Sequence, residues 1–208
     1  MKYDLVIFDF DGTLADTFQW FISVINSVAD KYRFKRVEKE EIEFIRGLDA
    51  IGVLKYLEVP LWKIPMIARH MRKLMADDIH RIYLFKGVDS LLHRLSGKGI
   101  TLAVMSSNSH ENVIKLLGPE NAALIEHYEC DVSIFRKRAK LKKILSKSGI
   151  PNAKSIYIGD EIRDLKAARE VKIPFGGVSW GYNNVESLKP LSPELLFESI
   201  DKILDKVT

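Results

Sequence analysis

Cysteine is nearly absent from this chain: one residue, Cys130, in 208. A lone cysteine excludes an intrachain disulfide and a cysteine-rich zinc site, and it fits a reducing, cytoplasmic setting. Long apolar runs are missing too. The first, Leu5-Val6-Ile7-Phe8, is cut short by Asp9, far below the ~20 residues of a membrane helix and too short for a signal peptide, so no membrane association is expected. No low-complexity linker and no internal repeat divides the sequence. Neither sign of charge dominates: 32 Lys and Arg against 28 Asp and Glu leave a net +4. That balance suits anionic small molecules before nucleic acid and decides nothing alone.

What is present is an ordinary globular composition, 47% hydrophobic and 29% charged over 208 residues, enough for one domain with a modest insert. Short runs rich in β-branched and aromatic residues predict strands at 4–10, 100–106 and 155–158, with weaker ones near 129–132 and 175–178. Helical spacing predicts helices over 88–95, 111–117, 139–146, 162–170 and 193–204. Strands alternating with helices imply an α/β fold, a Rossmann-like three-layer parallel sheet. Between 17 and 83 the pattern is helical only: Phe18, Phe21, Ile22, Ile25, Val28 and Ala29 recur at helix spacing, as do Ile64, Ile67, Ala68, Met71, Leu74 and Met75. A small all-helical insert after the first strand is therefore expected, with 1–16 and 84–208 forming the α/β core and 17–83 the insert.

The chemistry-bearing residues fall where strands end. Asp9-Phe10-Asp11-Gly12-Thr13-Leu14-Ala15-Asp16 closes the first strand, and carboxylates two residues apart on extended backbone face the same side. As an isolated stretch this could be a polar turn. Gly159-Asp160-Glu161-Ile162-Arg163-Asp164 then follows another strand and opens a helix. Capping accounts for Glu161, but not for Asp9, Asp11, Asp160 and Asp164 meeting at one sheet edge. Four such acids call for a hard cation, with magnesium the natural candidate. Ser106-Ser107-Asn108 ends the second strand and offers a hydroxyl and backbone N–H groups to an anion, while Ser109 suits a helix cap. Lys137 precedes the Leu141-Ile144-Leu145 stripe and can place a point charge on phosphate, with Lys140 as competitor. The other basic side chains of 31–36 and 136–143 read as solvated helix faces. Arg46 ahead of Gly47 reads first as a helix C-terminus and second as a residue facing the site.

Taken in order, these motifs resemble the haloacid dehalogenase superfamily, specifically its phosphoglycolate phosphatase-like branch with a helical cap. The match runs from Asp4 to about Pro190, including Gly177-Val178-Ser179-Trp180-Gly181-Tyr182. One departure is Arg136-Lys137-Arg138-Ala139 where many relatives carry Lys-Pro-x-Pro. The resemblance implies a magnesium-dependent phosphatase acting on a small-molecule phosphate ester. Asp9 would be the nucleophile and Asp11 the general acid and base. Asp9, the Asp11 carbonyl, Asp160 and Asp164 would serve the metal, and Ser106, Ser107 and Lys137 the phosphoryl group. A phosphomutase of the same superfamily and a non-catalytic phosphate-binding module are the alternatives.

Overall fold

The structure, a computed structural model, describes residues 2–131 and 136–208. Val132 of the expected weak strand and Phe135, which leads into the lysine motif, lie outside them. In chain order the strands are β1 Leu5–Asp9, β2 Thr101–Met105, β3 His127–Glu129, β4 Ser155–Gly159, β5 Phe175–Val178 and β6 Leu195–Phe197. The helices are α1 Phe18–Tyr32, α2 Ile42–Arg46, α3 Ala50–Tyr56, α4 Ile64–Asp77, α5 Val88–Gly97, α6 His110–Ala123, α7 Lys137–Ser148, α8 Ile162–Val171, α9 Val185–Leu188 and α10 Asp201–Val207. Short 3-10 turns fill several of the gaps between them.

The six strands form one parallel sheet in the order β3-β2-β1-β4-β5-β6. β1 is central and buried along its whole length, as a parallel strand covered on both faces must be. Alternation sends Val6 and Phe8 to one side, where Leu102, Val104, Ile156 and Ile158 meet α5, α6 and α10. Leu5 and Ile7 go to the other, with Ala103, Met105 and Tyr157 against α7 and α8. This is the expected three-layer α/β core. No helix among the described residues is long and apolar enough to cross a membrane.

Three expectations change. The helix predicted over 193–204 is instead β6 at Leu195–Phe197 followed by α10 from Asp201. Three residues are too few to show alternation, and pairing of Gly176, Gly177 and Val178 with Leu195, Leu196 and Phe197 decides the matter. The weak strand near 129–132 sits earlier, at His127–Glu129, in register with Ala103–Met105. Lys143, read as solvated, converges with Lys140 and Lys147 from α7 on the buried carboxylate of Glu129.

Residues 18–82 are helical and pack mostly among themselves. One cluster gathers Trp20, Met75 and Ile82, and another Ile25, Val37 and Leu57. The two connections to this segment lie side by side: Asp16 N donates to the Tyr83 carbonyl at 2.9 Å and Phe85 N to the Leu14 carbonyl at 2.9 Å.

Candidate active site

Asp9 is the last residue of β1, at the carboxyl edge of the sheet where its neighbours β2 and β4 also end. In open α/β sheets that edge is where ligands bind. Beyond it the chain turns sharply: Leu14 N and Ala15 N both donate to the Phe10 carbonyl at 2.9 Å. Gly12 permits the turn with φ +75°, and a side chain there would meet Asp160 Oδ2 at 2.4 Å. The close approach lets Thr13 Oγ1 donate to Asp160 Oδ1 at 2.8 Å.

Every carboxylate oxygen of the four aspartates has a donor. Asp9 accepts from Phe10 N at 3.0 Å and from Lys137 Nζ at 2.7 Å. Asp11 accepts from Ser106 Oγ at 2.9 Å and Asn108 Nδ2 at 3.2 Å. Asp160 accepts from Thr13 and from Tyr182 N, the latter at 2.7 Å. Asp164 binds Lys137 Nζ, Tyr157 OH at 2.8 Å and Glu161 N at 3.1 Å.

Asp160 and Asp164 are four residues apart, a spacing that puts two residues on one face where both are helical. The geometry differs, because α8 begins only at Ile162. Asp160 caps the end of β4, and Asp164 folds back as the third residue of a capping box whose N-cap is Glu161. Glu161 is thus a cap, as is Ser109, whose hydroxyl accepts from Asn112 N.

Lys137, and not Lys140, reaches Asp9. Lys137 shares a helix face with Leu141 and Ile144 at i+4 and i+7, and all three are buried. Lys140 turns outward to Glu129 at 2.8 Å. Ser107 lines the cavity above the acids, and its carbonyl accepts from Arg72 of α4 at 3.0 Å.

Burial governs the electrostatics. It pushes Asp9 well above the ordinary carboxylate range, with Lys137 pulling back and Asp164 and Asp160 adding to the rise. Burial likewise raises Asp11, against the hydrogen bonds from Ser106 and Asn108, and burial with the charges of Glu161 and Asp164 lifts Asp160 to about 8. For Asp164, burial also works upward, but Lys137 and Arg163 outweigh it and hold the group below its usual value. Lys137 stays charged, since Asp164 and Asp9 outweigh burial and Arg163.

Asp9, Asp160 and Asp164 each bring a carboxylate oxygen within 4.8 Å of the others, and all three are buried. Hard oxygen donors so gathered, short of positive charge, fit a divalent cation such as Mg²⁺. The fit is uneven. Asp9 and Asp160 can turn an oxygen to a metal, whereas Asp164 already receives three donors and suits an outer, supporting place.

Above this floor, the helical segment is tied down by the loop after β5. Arg46 Nε donates to the Tyr182 carbonyl at 3.1 Å and Nη2 to the Gly181 carbonyl at 2.9 Å. Asn183 Nδ2 returns two bonds to the carbonyls of Arg46 and Leu48 at 2.7 and 2.8 Å. Tyr182 stacks edge-on against Phe18 and Phe21. Arg46 is therefore both the end of α2 and a residue lining the site.

Residues 6–178 match the family model described as haloacid dehalogenase-like hydrolase. The chain belongs to that family. This haloacid dehalogenase-like chain is 28% identical over 204 residues to the phosphoglycolate phosphatase of Synechococcus elongatus, covering 98% of this chain and 96% of the relative. It is also 28% identical to the phosphoglycolate phosphatase of Agrobacterium fabrum, over 93% of this chain and 88% of that one. Among solved structures, a predicted phosphatase from Clostridium acetobutylicum superposes with a TM-score of 0.83 at 19% identity, over 100% of this chain and 99% of that one, a likeness that speaks to fold. The expected enzyme class, a phosphoric monoester hydrolase, agrees with the family and with these relatives.

Sequence reasoning gave no role to Asn108, Thr13, Tyr157, Tyr182 or Asn183. Asn108 was visible in the Ser106-Ser107-Asn108 stretch. Tyr182 and Asn183 act through a backbone N–H and an amide that meet partners more than 20 residues away, and no local pattern announces that.

Proposed function

We propose that this chain hydrolyses small-molecule phosphate monoesters in a magnesium-dependent reaction, with Asp9 as the covalent nucleophile. The observation that carries the reading is the meeting of Asp9, Asp11, Ser106, Lys137 and Asp160 at one sheet edge, with Lys137 Nζ 2.7 Å from the Asp9 carboxylate. An Asp9 oxygen attacks phosphorus, the ester P–O bond breaks, and Asp11 gives its proton to the departing alkoxide. Burial favours that proton's presence on Asp11. The same carboxylate then takes a proton from water as the water oxygen attacks phosphorus, which frees phosphate and restores Asp9.

Ser106, the Ser107 backbone and Lys137 bind the equatorial phosphoryl oxygens, and Lys137 also favours the charged form of Asp9 against burial. Asp9, the Asp11 carbonyl and Asp160 would hold magnesium, with Asp164 supporting. The ion would neutralise phosphate oxygens and orient the group for in-line attack. Residues 17–83 act as a cap domain over the core formed by 1–16 and 84–208.

A phosphate-release screen over many phosphorylated metabolites, with and without Mg²⁺ and beside Asp9→Asn, tests the proposal. Wild type is expected to release phosphate from at least one compound only with the metal, and Asp9→Asn from none. An active Asp9→Asn protein would refute covalent catalysis. An isomerised product without free phosphate would show a mutase.

A further inference from the structure

The space above Asp11 is unusual for a site that needs only to admit a phosphate. A cavity of about 540 Å³ runs from Asp11, Ser107 and Asn108 into the middle of the helical segment. That is room for on the order of fifteen to twenty water-sized groups, within the range of sites that enclose whole organic ligands. A leaving group of two or three carbons would leave most of it empty.

The walls are apolar. Ile42, Ile45, Val53, Leu54, Leu57 and Met71 face the space, from α2 to α4 and the turn after α3. α2 and α3 contain no fully buried residue: Phe44 and Ile51 face outward, while Ile42, Ile45, Val53 and Leu54 point inward. They remain half-exposed because the surface they reach is the cavity. Close-packed interiors do not normally leave such faces uncovered.

Of the four arginines that line the cavity, Arg69 is exposed and the other three are paired with protein. Arg46 is bonded to the Gly181 and Tyr182 carbonyls and to Glu43. Arg72 is bonded to the Ser107 carbonyl and faces Asp131. Arg163 pairs with Glu161 through Nη2, while its buried Nε has no hydrogen-bond partner among the described residues.

We propose that the alcohol released by this enzyme is apolar: a phosphate monoester whose hydrocarbon body fills the chamber while its phosphate sits at Asp9. The inference rests on the phosphatase reading, because Asp11 can protonate the leaving oxygen only if the alcohol projects from the Asp11 end of the cavity. Asp11 lines that end. The body of the alcohol then extends along the apolar walls, where each buried methylene favours binding.

The test is a series of n-alkyl phosphates from ethyl to octyl, read as kcat/KM. We expect about a threefold rise per added methylene, and hexyl phosphate at least tenfold better than ethyl. In Ala68→Phe, which pushes a ring into the chamber from α4, the hexyl-to-ethyl ratio should fall at least tenfold. A flat or falling series would overturn the inference while leaving the phosphatase reading intact. So would faster turnover of a carboxyl-terminated butyl ester than of butyl phosphate, or an unchanged ratio in folded Ala68→Phe. If no ester is cleaved the phosphatase reading fails, and calorimetric titration of wild type with n-alkylphosphonates still decides. Affinity climbing with chain length supports the chamber, and affinity independent of length refutes it.

Discussion

At the sheet edge, Asp9, Ser106, Asp160 and Asp164 are 0–2% exposed, and each carboxylate oxygen there has a donor within hydrogen-bonding distance. In the helices above it, α2 and α3 have no fully buried residue and face a cavity of about 540 Å³. The lower region is dense and polar and the upper one loose and apolar. Groups that must meet a phosphorus atom need fixed positions, and buried charge tolerates no missing partner. Groups that accept a variable alcohol need area and little else. On the proposed reading, chemistry belongs to the core and selection to the helical segment.

The sharpest way to break that division is Lys137→Met. It removes the cation between two buried carboxylates, so phosphate release should fall about 10²- to 10³-fold, with a loss of roughly 3–5 kcal/mol in denaturant unfolding. A variant within tenfold of wild type and equally stable would show that the ammonium serves neither purpose. Arg46→Ala acts on the other region. It deletes the bonds to Gly181 and Tyr182, and should raise KM about 3- to 10-fold while kcat changes less. A fall in kcat without a change in KM would mean the tie belongs to the chemistry instead.

The smallest effect is expected at the side chain of Glu129, at the end of β3. In Glu129, burial works against the charge, but hydrogen bonds from Lys140, Lys143 and Lys147 prevail and lower the carboxyl from 4.5 to about 2. A depressed folded value means stability present above the free pKa and lost as pH falls through the folded one. Glu129→Gln should therefore lower the melting midpoint by about 2–4 °C at pH 7. The difference should shrink between pH 4.5 and about 2. A difference independent of pH would show that packing, not the ion cluster, is at stake.

Much of the dense region was legible in the sequence because its signals are local. Asp9 and Asp11 sit at the end of an apolar run, and Gly159-Asp160 at the end of another. Lys137 against Lys140 was open, since both lie at a helix start. Burial on the Leu141 face separates them. β6 was hidden because three edge residues carry too little pattern, and the pairing with β5 that makes them a strand is long-range. The loop holding Tyr182 and Asn183 was quoted without a role, because its partners, Asp160 and Arg46, are brought to it only by the fold. The apolar spacing of Ile64, Ala68 and Met71 predicts a helix, and the cavity those residues face appears only when the helices are assembled.

The most direct test of the central claim is chemical trapping. Wild-type protein turning over a phosphate ester labelled at phosphorus, in the presence of Mg²⁺, is quenched in acid and its peptides analysed by mass spectrometry. The account predicts label as an acyl phosphate on Asp9, absent from Asp9→Asn and convertible by borohydride to homoserine at that position. Turnover at full rate with no label on Asp9, or with label on another side chain, would contradict it.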